Sequence, residues 1–191
     1  MKRRSLYERQ RSSVYIGRLR IRVKLDFWRV LLAMDIFDSD KITLDDKVMS
    51  ASSLFCWWSW LLPFRSRAAI VSAVFAQLFP GGAGGSGEPP VMDFRQDAGA
   101  IRAAFLQAYG IALDGARLHY LDFVELLQNL PENTAFAKIV EIRQRPLPKP
   151  TKHNGEEIKA LQRAKAAVAL EISDADRQRF FAESLKRASI G

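Results

Sequence analysis

Apolar residues recur three and four positions apart through most of this chain, and glycine or proline interrupts each run. Between residues 98 and 145, for example, one run ends at Gly110 and the next ends at Pro131. This spacing places apolar side chains on one face of an α-helix. Glycine readily ends a helix, and proline cannot continue one. The pattern therefore predicts a mainly α-helical protein built from several short helices.

A different period occurs near the N-terminus, where "SSVYIGRLRIRVKL" alternates apolar and basic residues. Alternation with a period of two is typical of a half-buried β-strand, with Leu19, Ile21 and Val23 on one face. Gly17 suits a tight turn. We therefore predict a short β-hairpin within residues 13–24. The opposite face would carry the basic side chains of Arg18, Arg20, Arg22 and Lys24.

Residues that favour helix N-termini precede several of the apolar runs. Asp26 stands before the first run, Thr43 or Asp40 before the second, and Asp97 or Asp93 before a later one. Short polar side chains at such positions accept hydrogen bonds from backbone N–H groups that have no partner within the helix. We expect one helix to begin after each of these positions.

The stretch "AAFLQAYGIALDGARLHYLDFVELL", residues 103–127, combines helical spacing with a turn signal. The dipeptide Asp114-Gly115 divides it into two segments that each carry an apolar face. Two short helices joined by such a turn are typical of an αα-hairpin. The sequence predicts that this pair packs on itself through Phe105, Tyr109, Leu118, Leu121 and Val124.

The most apolar run, "LFCWWSWLLPF", extends from residue 54 to residue 64. It is far shorter than the ~20 residues that a membrane span requires. We interpret it as a buried helix, with exposure to a partner as the alternative. Cys56, the only cysteine, lies within it and is predicted to be a buried, unreactive thiol. One cysteine allows no internal disulfide and no zinc site built from thiolates.

Glycine-rich and proline-rich segments suggest how the chain is divided. "GGAGGSGEPP" cannot form a regular element and is predicted to be a flexible loop, and "PLPKPTKHNG" is predicted to be an extended linker. The resulting scheme has a basic N-terminal arm at 1–12, a helical core domain at 13–145 with a flexible loop at 80–90, a linker at 146–155 and a C-terminal helical extension at 156–191.

The net charge of +8 is concentrated in the first 24 residues, which contain nine of the basic side chains and only one acid, Glu8. The remaining residues balance to zero. A basic stripe on a strand can follow a phosphate backbone or meet an acidic protein, and it can also be an ordinary solvated face. No helix-turn-helix, zinc-finger or RNA-binding signature accompanies it.

Motifs of known catalytic chemistry are missing from the sequence. It has no phosphate-binding loop and no HExxH zinc motif. His119 lies three residues from Asp122, and we expect it to be a partly buried helix residue hydrogen-bonded to Asp122 or to backbone. His153 lies in the predicted linker. We therefore predict a protein that is not an enzyme and that holds no metal and no cofactor.

The segment from "DFRQDAGAIRAAF" to "IRQRPLPK" closely resembles the C-terminal half of the bacteriophage gene-product-fifteen (Gp15) family. The resemblance is strong over residues 93–145 and looser over the preceding residues from 13 onward. The chain carries the family pattern at Asp97, Ile101, Ala104, Phe105, Tyr109, Gly110, Ile111, Leu113, Leu118, His119, Tyr120, Phe123, Leu127, Leu130, Thr134, Phe136, Lys138, Ile139 and Arg143.

This resemblance implies a tail assembly chaperone of a siphophage or prophage. Such a protein would bind the tape measure protein and tail-tube subunits during tail morphogenesis. It would act in the host bacterial cytoplasm, away from the membrane, and would be absent from the mature virion. Self-association is left open. The alternatives are a structural tail or connector component of the virion and a nucleic-acid-binding protein that acts through the basic arm.

A chaperone of this kind needs an exposed apolar surface for its partner. The candidate is the cluster of Trp57, Trp58 and Trp60, because tryptophan is enriched at binding hot spots. Ordinary core packing is the other interpretation of these residues. The family positions Asp97, Phe105, Tyr109, Gly110, His119 and Phe136 are expected to maintain the fold.

Overall fold

The computed structural model describes residues 12–80, 90–151 and 154–171. These residues form a mainly α-helical protein with an N-terminal antiparallel β-hairpin, which confirms the predicted fold class. The strands are β1 Ser13–Ile16 and β2 Leu19–Arg22. A 3₁₀ helix, Trp57–Leu61, lies between the second and third α-helices. The α-helices are α1 Phe27–Asp38, α2 Leu44–Phe55, α3 Phe64–Leu78, α4 Ala98–Tyr109, α5 Tyr120–Gln128, α6 Ala135–Gln144 and α7 Gly155–Ala167.

The chain divides into two compact units. The first comprises Met1–Ala83 and Arg117–Leu126, and the second comprises Gly84–Ala116 and Leu127–Gly191. The predicted scheme of arm, core, linker and extension stays a prediction, because compact packing does not define which segments fold independently. Residues 1–11, most of the predicted loop, His153 and residues 172–191 lie outside the described part of the chain.

The hairpin forms as predicted around Gly17, whose φ of 59° lies in the left-handed region that favours glycine. Val14 pairs with Ile21, and both side chains are buried. Tyr15 pairs with Arg20 on the outer face. Leu19 departs from the predicted alternation, because it lies at the tip of the hairpin beside the turn and is 71% exposed.

Aromatic side chains form much of the core of the first unit. Phe75 of α3 contacts Phe37 and Phe55 edge to face, with ring centroids 5.5 and 6.3 Å apart. Phe27 stacks on Phe123 at 4.8 Å. The segment around α5 joins this unit through backbone hydrogen bonds as well, since the Tyr120 N–H donates to the carbonyl of Leu25 at 2.9 Å. Residues distant in sequence therefore complete this core.

The start of α2 lies at one of the two positions that the sequence predicted. Thr43 is its N-cap, and the Thr43 hydroxyl accepts a hydrogen bond from the Asp46 N–H at 3.3 Å. The apolar side chain of Leu44 is 67% exposed. It is the first residue of the helix, and Val48, one turn later, begins the buried face.

The second unit contains α4, α6 and α7, and α6 packs against both α4 and α7. Gly110 ends α4 with a φ of 65°, and its N–H donates to the Leu106 carbonyl at 3.0 Å, as the sequence predicted. The predicted αα-hairpin is wrong. Most of α5 belongs to the first unit, where Tyr120 and Phe123 contact the aromatic core.

Candidate partner-binding surface

Four large apolar side chains of the first unit are exposed within eight residues of chain, and we call them the tryptophan surface. They are Trp57 (72% exposed), Trp60 (62%), Leu61 (65%) and Phe64 (44%). A 3₁₀ helix has three residues per turn, so side chains at positions i and i+3 eclipse one another. Trp57 and Trp60 therefore lie on the same side of the 3₁₀ helix. Exposed apolar groups so close together are typical of an interaction site.

The predicted tryptophan cluster is only partly what the structure exposes. Trp58 is half-buried, whereas Trp57 and Trp60 face solvent. Ser59, between them, is fully buried. The exposed set extends instead to Leu61, the last residue of the 3₁₀ helix, and to Phe64, the first residue of α3. The sequence prediction missed these two, because a run that is apolar at almost every position does not indicate which side chains are exposed.

The interpretation of residues 54–64 as one buried helix is wrong, because the helical conformation is interrupted at two positions. Cys56 is extended, with φ −139° and ψ 105°, and it ends α2. Leu62 is also extended, at φ −93° and ψ 146°, because the proline ring at position 63 disfavours a helical conformation in the residue before it. Only five residues are left between these breaks, and they form the 3₁₀ helix.

Arg67, in the first turn of α3, holds the end of this 3₁₀ helix in place. Its Nη2 atom donates to the carbonyl of Trp60 at 2.6 Å, and its Nε atom donates to the carbonyl of Leu62 at 3.0 Å. These carbonyls have no partner within their own helix. Arg67 thus fixes the backbone that presents Trp60 and Leu61. No sequence signal indicated this role.

The end of α2, just before the tryptophan surface, is held by two donors from the N-terminal part of the first unit. The Lys24 N–H donates to the carbonyl of Phe55 at 2.8 Å. The Arg29 Nη1 atom donates to the carbonyl of Leu54 at 2.9 Å, while its Nε atom pairs with Asp26 at 3.0 Å. The last turn of α2 is therefore anchored to the end of the hairpin and to the start of α1.

The predicted basic residues do form one exposed face. The side chains of Arg18, Arg20, Arg22 and Lys24 are all exposed. Tyr15, directly opposite Arg20, is 64% exposed. The Arg20 Nε atom donates to the Ser13 hydroxyl at 3.1 Å, which orients its guanidinium along the hairpin. We call Arg20 and Arg22 of β2, together with Lys24 two residues after it, the basic strand.

Cys56 is 2% exposed, which confirms the prediction of a buried thiol. Burial raises the pKa of this thiol above its ordinary value and outweighs the backbone hydrogen bonds from Trp58 and Ser59, which act to lower it. A raised pKa leaves little of the nucleophilic thiolate at neutral pH. Cys56 therefore contributes packing beneath the tryptophan surface.

The predicted fold-signature residues have structural roles. Asp97 forms a buried ion pair with Arg143 in the second unit, with Nη1–Oδ2 at 2.6 Å and Nη2–Oδ1 at 2.8 Å. Phe105 and Phe136 are buried there as well. Tyr109 lies against Phe105 at 5.7 Å, and its hydroxyl donates to the Asn129 carbonyl at 2.9 Å.

His119 immediately precedes α5 and is half-buried. Its Nδ1 atom accepts a hydrogen bond from the Leu121 N–H at 3.2 Å, so the imidazole satisfies one of the N–H groups at the start of that helix. The prediction of a hydrogen bond between this side chain and backbone is confirmed at Nδ1. Its position at the helix start differs from the predicted position within the helix.

Within the described ranges, no group of three or more histidine, cysteine, aspartate or glutamate side chains is placed to hold a metal ion. No helix in that part of the chain is both long enough and apolar enough to cross a membrane. The predictions that the protein is not an enzyme and binds no cofactor stay predictions.

Comparison with known proteins identifies one family. A family model described as "Bacteriophage Gp15 protein" matches residues 74–170, slightly more than half of the chain. The match contains the whole of residues 93–145, whereas the hairpin and the tryptophan surface precede it. No curated protein and no solved structure matches the chain. The matched segment covers the Asp97–Arg143 ion pair, the Gly110 cap and the His119 cap, and the chain belongs to the bacteriophage Gp15 protein family.

Proposed function

We propose that this protein is a phage or prophage tail assembly chaperone that binds the tape measure protein and tail-tube subunits during tail morphogenesis. Membership of the bacteriophage Gp15 family supports a phage-related role. The exposed tryptophan surface carries the proposal that this role is binding, because Trp57 and Trp60 present large apolar side chains to solvent.

The physical mechanism is reversible burial of apolar segments of the partner. A tape measure protein that has not yet been enclosed by tube subunits exposes helical, apolar segments that would otherwise aggregate. Covering such a segment with Trp57, Trp60, Leu61 and Phe64 removes apolar area from water at ~25 cal/mol per Å². A surface of four side chains is small by the standards of stable interfaces, which suits release when tube subunits take its place.

The proposed setting is the host bacterial cytoplasm, with the protein absent from the finished virion. Co-expression with the tape measure protein encoded by the same phage tests the binding step. Affinity purification of this chain is expected to recover the tape measure protein. Recovery of the tape measure protein at the level of an untagged control would contradict the proposal.

The alternative role is a structural tail or connector component, and it differs from the proposed role in whether mature virions contain the protein. The proposed role predicts that they do not. Quantitative mass spectrometry of mature virions is expected to find this chain only at trace level relative to the tail-tube protein. A fixed stoichiometric amount in washed particles would support the structural role and exclude release of the protein before maturation.

A further inference from the structure

The basic strand and the tryptophan surface are neighbours in the first unit. The hydrogen bond from the Lys24 N–H to the Phe55 carbonyl, at 2.8 Å, places the end of the basic strand two residues from Trp57. Val23 and Leu25 are buried, so the Lys24 side chain between them points outward. Trp57, immediately after the anchored end of α2, also points outward. Exposed cationic and apolar side chains therefore flank the same backbone hydrogen bond.

The two chain segments that form this site carry only positive charges. Residues 12–25 contain no acid, and residues 48–64 contain no charged residue at all. The nearest acid along the chain, Asp26, is paired with Arg29 at 3.0 Å. Asp45 and Asp46 lie in the first turn of α2, about 15 Å from the anchored end by the helical rise per residue. Arg65, which follows the tryptophan surface, adds another exposed cation.

The apolar part of the site fits protein side chains better than nucleobases. Nucleic-acid sites on strands use aromatic faces on which successive bases stack. Here Leu61, which offers no flat face, is 65% exposed beside Trp60. A mixed aromatic and aliphatic surface is typical of grooves and faces that receive an amphipathic helix.

We infer that the basic strand and the tryptophan surface together bind acidic amphipathic protein segments. Apolar side chains of the segment cover Trp57, Trp60 and Leu61, and carboxylates beside its apolar face pair with Arg22 and Lys24. Charge complementarity of this kind selects among apolar segments and speeds their association. The inference rests on the proposed function, since it specifies which segments of the tape measure protein the chaperone binds.

The test uses two helical probe peptides that lack tryptophan and share one apolar face, flanked by glutamate in one and by lysine in the other. Binding to the full-length protein is followed by the fluorescence anisotropy of a dye attached to each peptide. The glutamate peptide is expected to bind about tenfold more tightly than the lysine peptide, as two exposed ion pairs allow. This preference is expected to decrease as salt is added.

Variants separate the two parts of the site. The double change Arg22→Glu and Lys24→Glu is expected to remove the preference for the glutamate peptide, and Trp57→Ser with Trp60→Ser to abolish binding of both peptides. Arg163→Glu changes an exposed cation of α7 in the second unit and is expected to leave binding unchanged. Circular dichroism verifies that each variant is folded.

Any of three results would overturn the inference. The first is equal affinity for both peptides that charge reversal does not change, and the second is displacement of the glutamate peptide by a single-stranded oligonucleotide that binds more tightly. The third is a site occupied by a second copy of the chain, seen as a concentration-dependent mass that the same variants abolish. The proposed function has a separate readout. If the tape measure protein is recovered but the two peptides bind equally, only this inference is contradicted. If the glutamate peptide binds preferentially but the tape measure protein is not recovered, only the proposed function is contradicted.

Discussion

Arg143 connects more parts of the second unit than any single apolar contact described above. Besides its two bonds to Asp97, it donates from Nε to the Val168 carbonyl at 2.6 Å and from Nη1 to the Val91 carbonyl at 3.1 Å. The Lys165 ammonium donates to the Arg143 carbonyl at 2.7 Å. One guanidinium thus joins the approach to α4, the end of α6 and the end of α7.

Replacing Arg143 is expected to destabilise the protein even when the charge is kept. Arg143→Lys cannot reproduce the bidentate geometry or reach both carbonyls, and we expect a loss of at least ~2 kcal/mol in the free energy of unfolding. Arg143→Met leaves the buried carboxylate of Asp97 without its cation and is expected to cost about 3–5 kcal/mol. Urea unfolding followed by circular dichroism measures both changes.

The control is Lys159→Met, which removes the exposed ion pair with Glu156 on α7. An exposed pair of this kind contributes less than ~0.5 kcal/mol. A loss for Arg143→Lys no larger than that of the control would contradict the role assigned to the buried pair.

The lowered pKa of Asp97 also makes the free energy of unfolding depend on pH. Burial acts to raise its pKa, but the hydrogen bond and charge of Arg143, together with the Asp93 N–H, outweigh burial and hold the pKa below the ordinary value of 3.8. The unfolded chain then binds the proton more readily than the folded chain. The stabilisation is fully present above that value and is lost as pH falls through the lower, folded-state pKa.

Asp97→Asn cannot ionise at this position, so its unfolding free energy is expected to fall less steeply than that of the wild type as the pH is lowered below about 4. The variant is also expected to be less stable at neutral pH, because Arg143 loses its counter-charge. Urea titrations at a series of pH values measure the two slopes. Equal slopes for both proteins would mean that Asp97 does not carry this pH dependence.

At the scale of elements, α4 shows how local chemistry sets helix limits. It contains Gly99 in its first turn and ends at Gly110, and a Cβ at either position would meet nothing within 4 Å. Only Gly110 has a positive φ, of 65°. The two glycines therefore differ in backbone conformation and not in available space.

The same substitution is expected to have opposite effects at these two positions. Gly99→Ala should stabilise the protein by about 0.5 kcal/mol, because alanine favours the helical conformation. Gly110→Ala should destabilise it by roughly 1 kcal/mol, because a side chain in the left-handed region is strained. Thermal unfolding of both variants under one condition measures the difference, and shifts of the same sign would contradict this explanation of the α4 terminus.

The 3₁₀ helix shows where sequence patterns stop being informative. The run from Leu54 to Phe64 is apolar at almost every position, so its spacing cannot distinguish a buried helix from an exposed turn. The structure depends on the extended conformation of Cys56 and on the two bonds from Arg67. Both depend on tertiary context, whereas the caps at Thr43 and Gly110 depend on adjacent residues and were predictable.

At the scale of the whole molecule, the sequence predicted the fold class and several helix starts but not which helices pack together. Alternation and helical spacing are properties of neighbouring residues. The Asp97–Arg143 pair joins positions 46 residues apart, and the contacts of α5 join Phe123 to Phe27. Spacing carries no information about such partners. The family resemblance contained both members of the ion pair, but not their contact.

The candidate site was also predictable only in part from the spacing of neighbouring residues. The basic strand was predictable, because alternation determines which side chains of a hairpin face outward. The tryptophan surface was located in the right segment but with a different membership, since Trp58 is half-buried and Leu61 and Phe64 are exposed. Its position before the family-matched residues 74–170 separates the surface from the residues that carry the family signature.

The central claim is that this protein keeps the tape measure protein soluble through the tryptophan surface. The most direct test measures the soluble fraction of the tape measure protein co-expressed with wild-type chain, with the double variant Trp57→Ser and Trp60→Ser, or with Leu106→Ser. Leu106 is 58% exposed on α4 in the second unit, so its variant is a matched control. We predict that the wild type and the control raise the soluble fraction and that the double variant does not. A tape measure protein equally insoluble with and without the wild-type chain would contradict the claim.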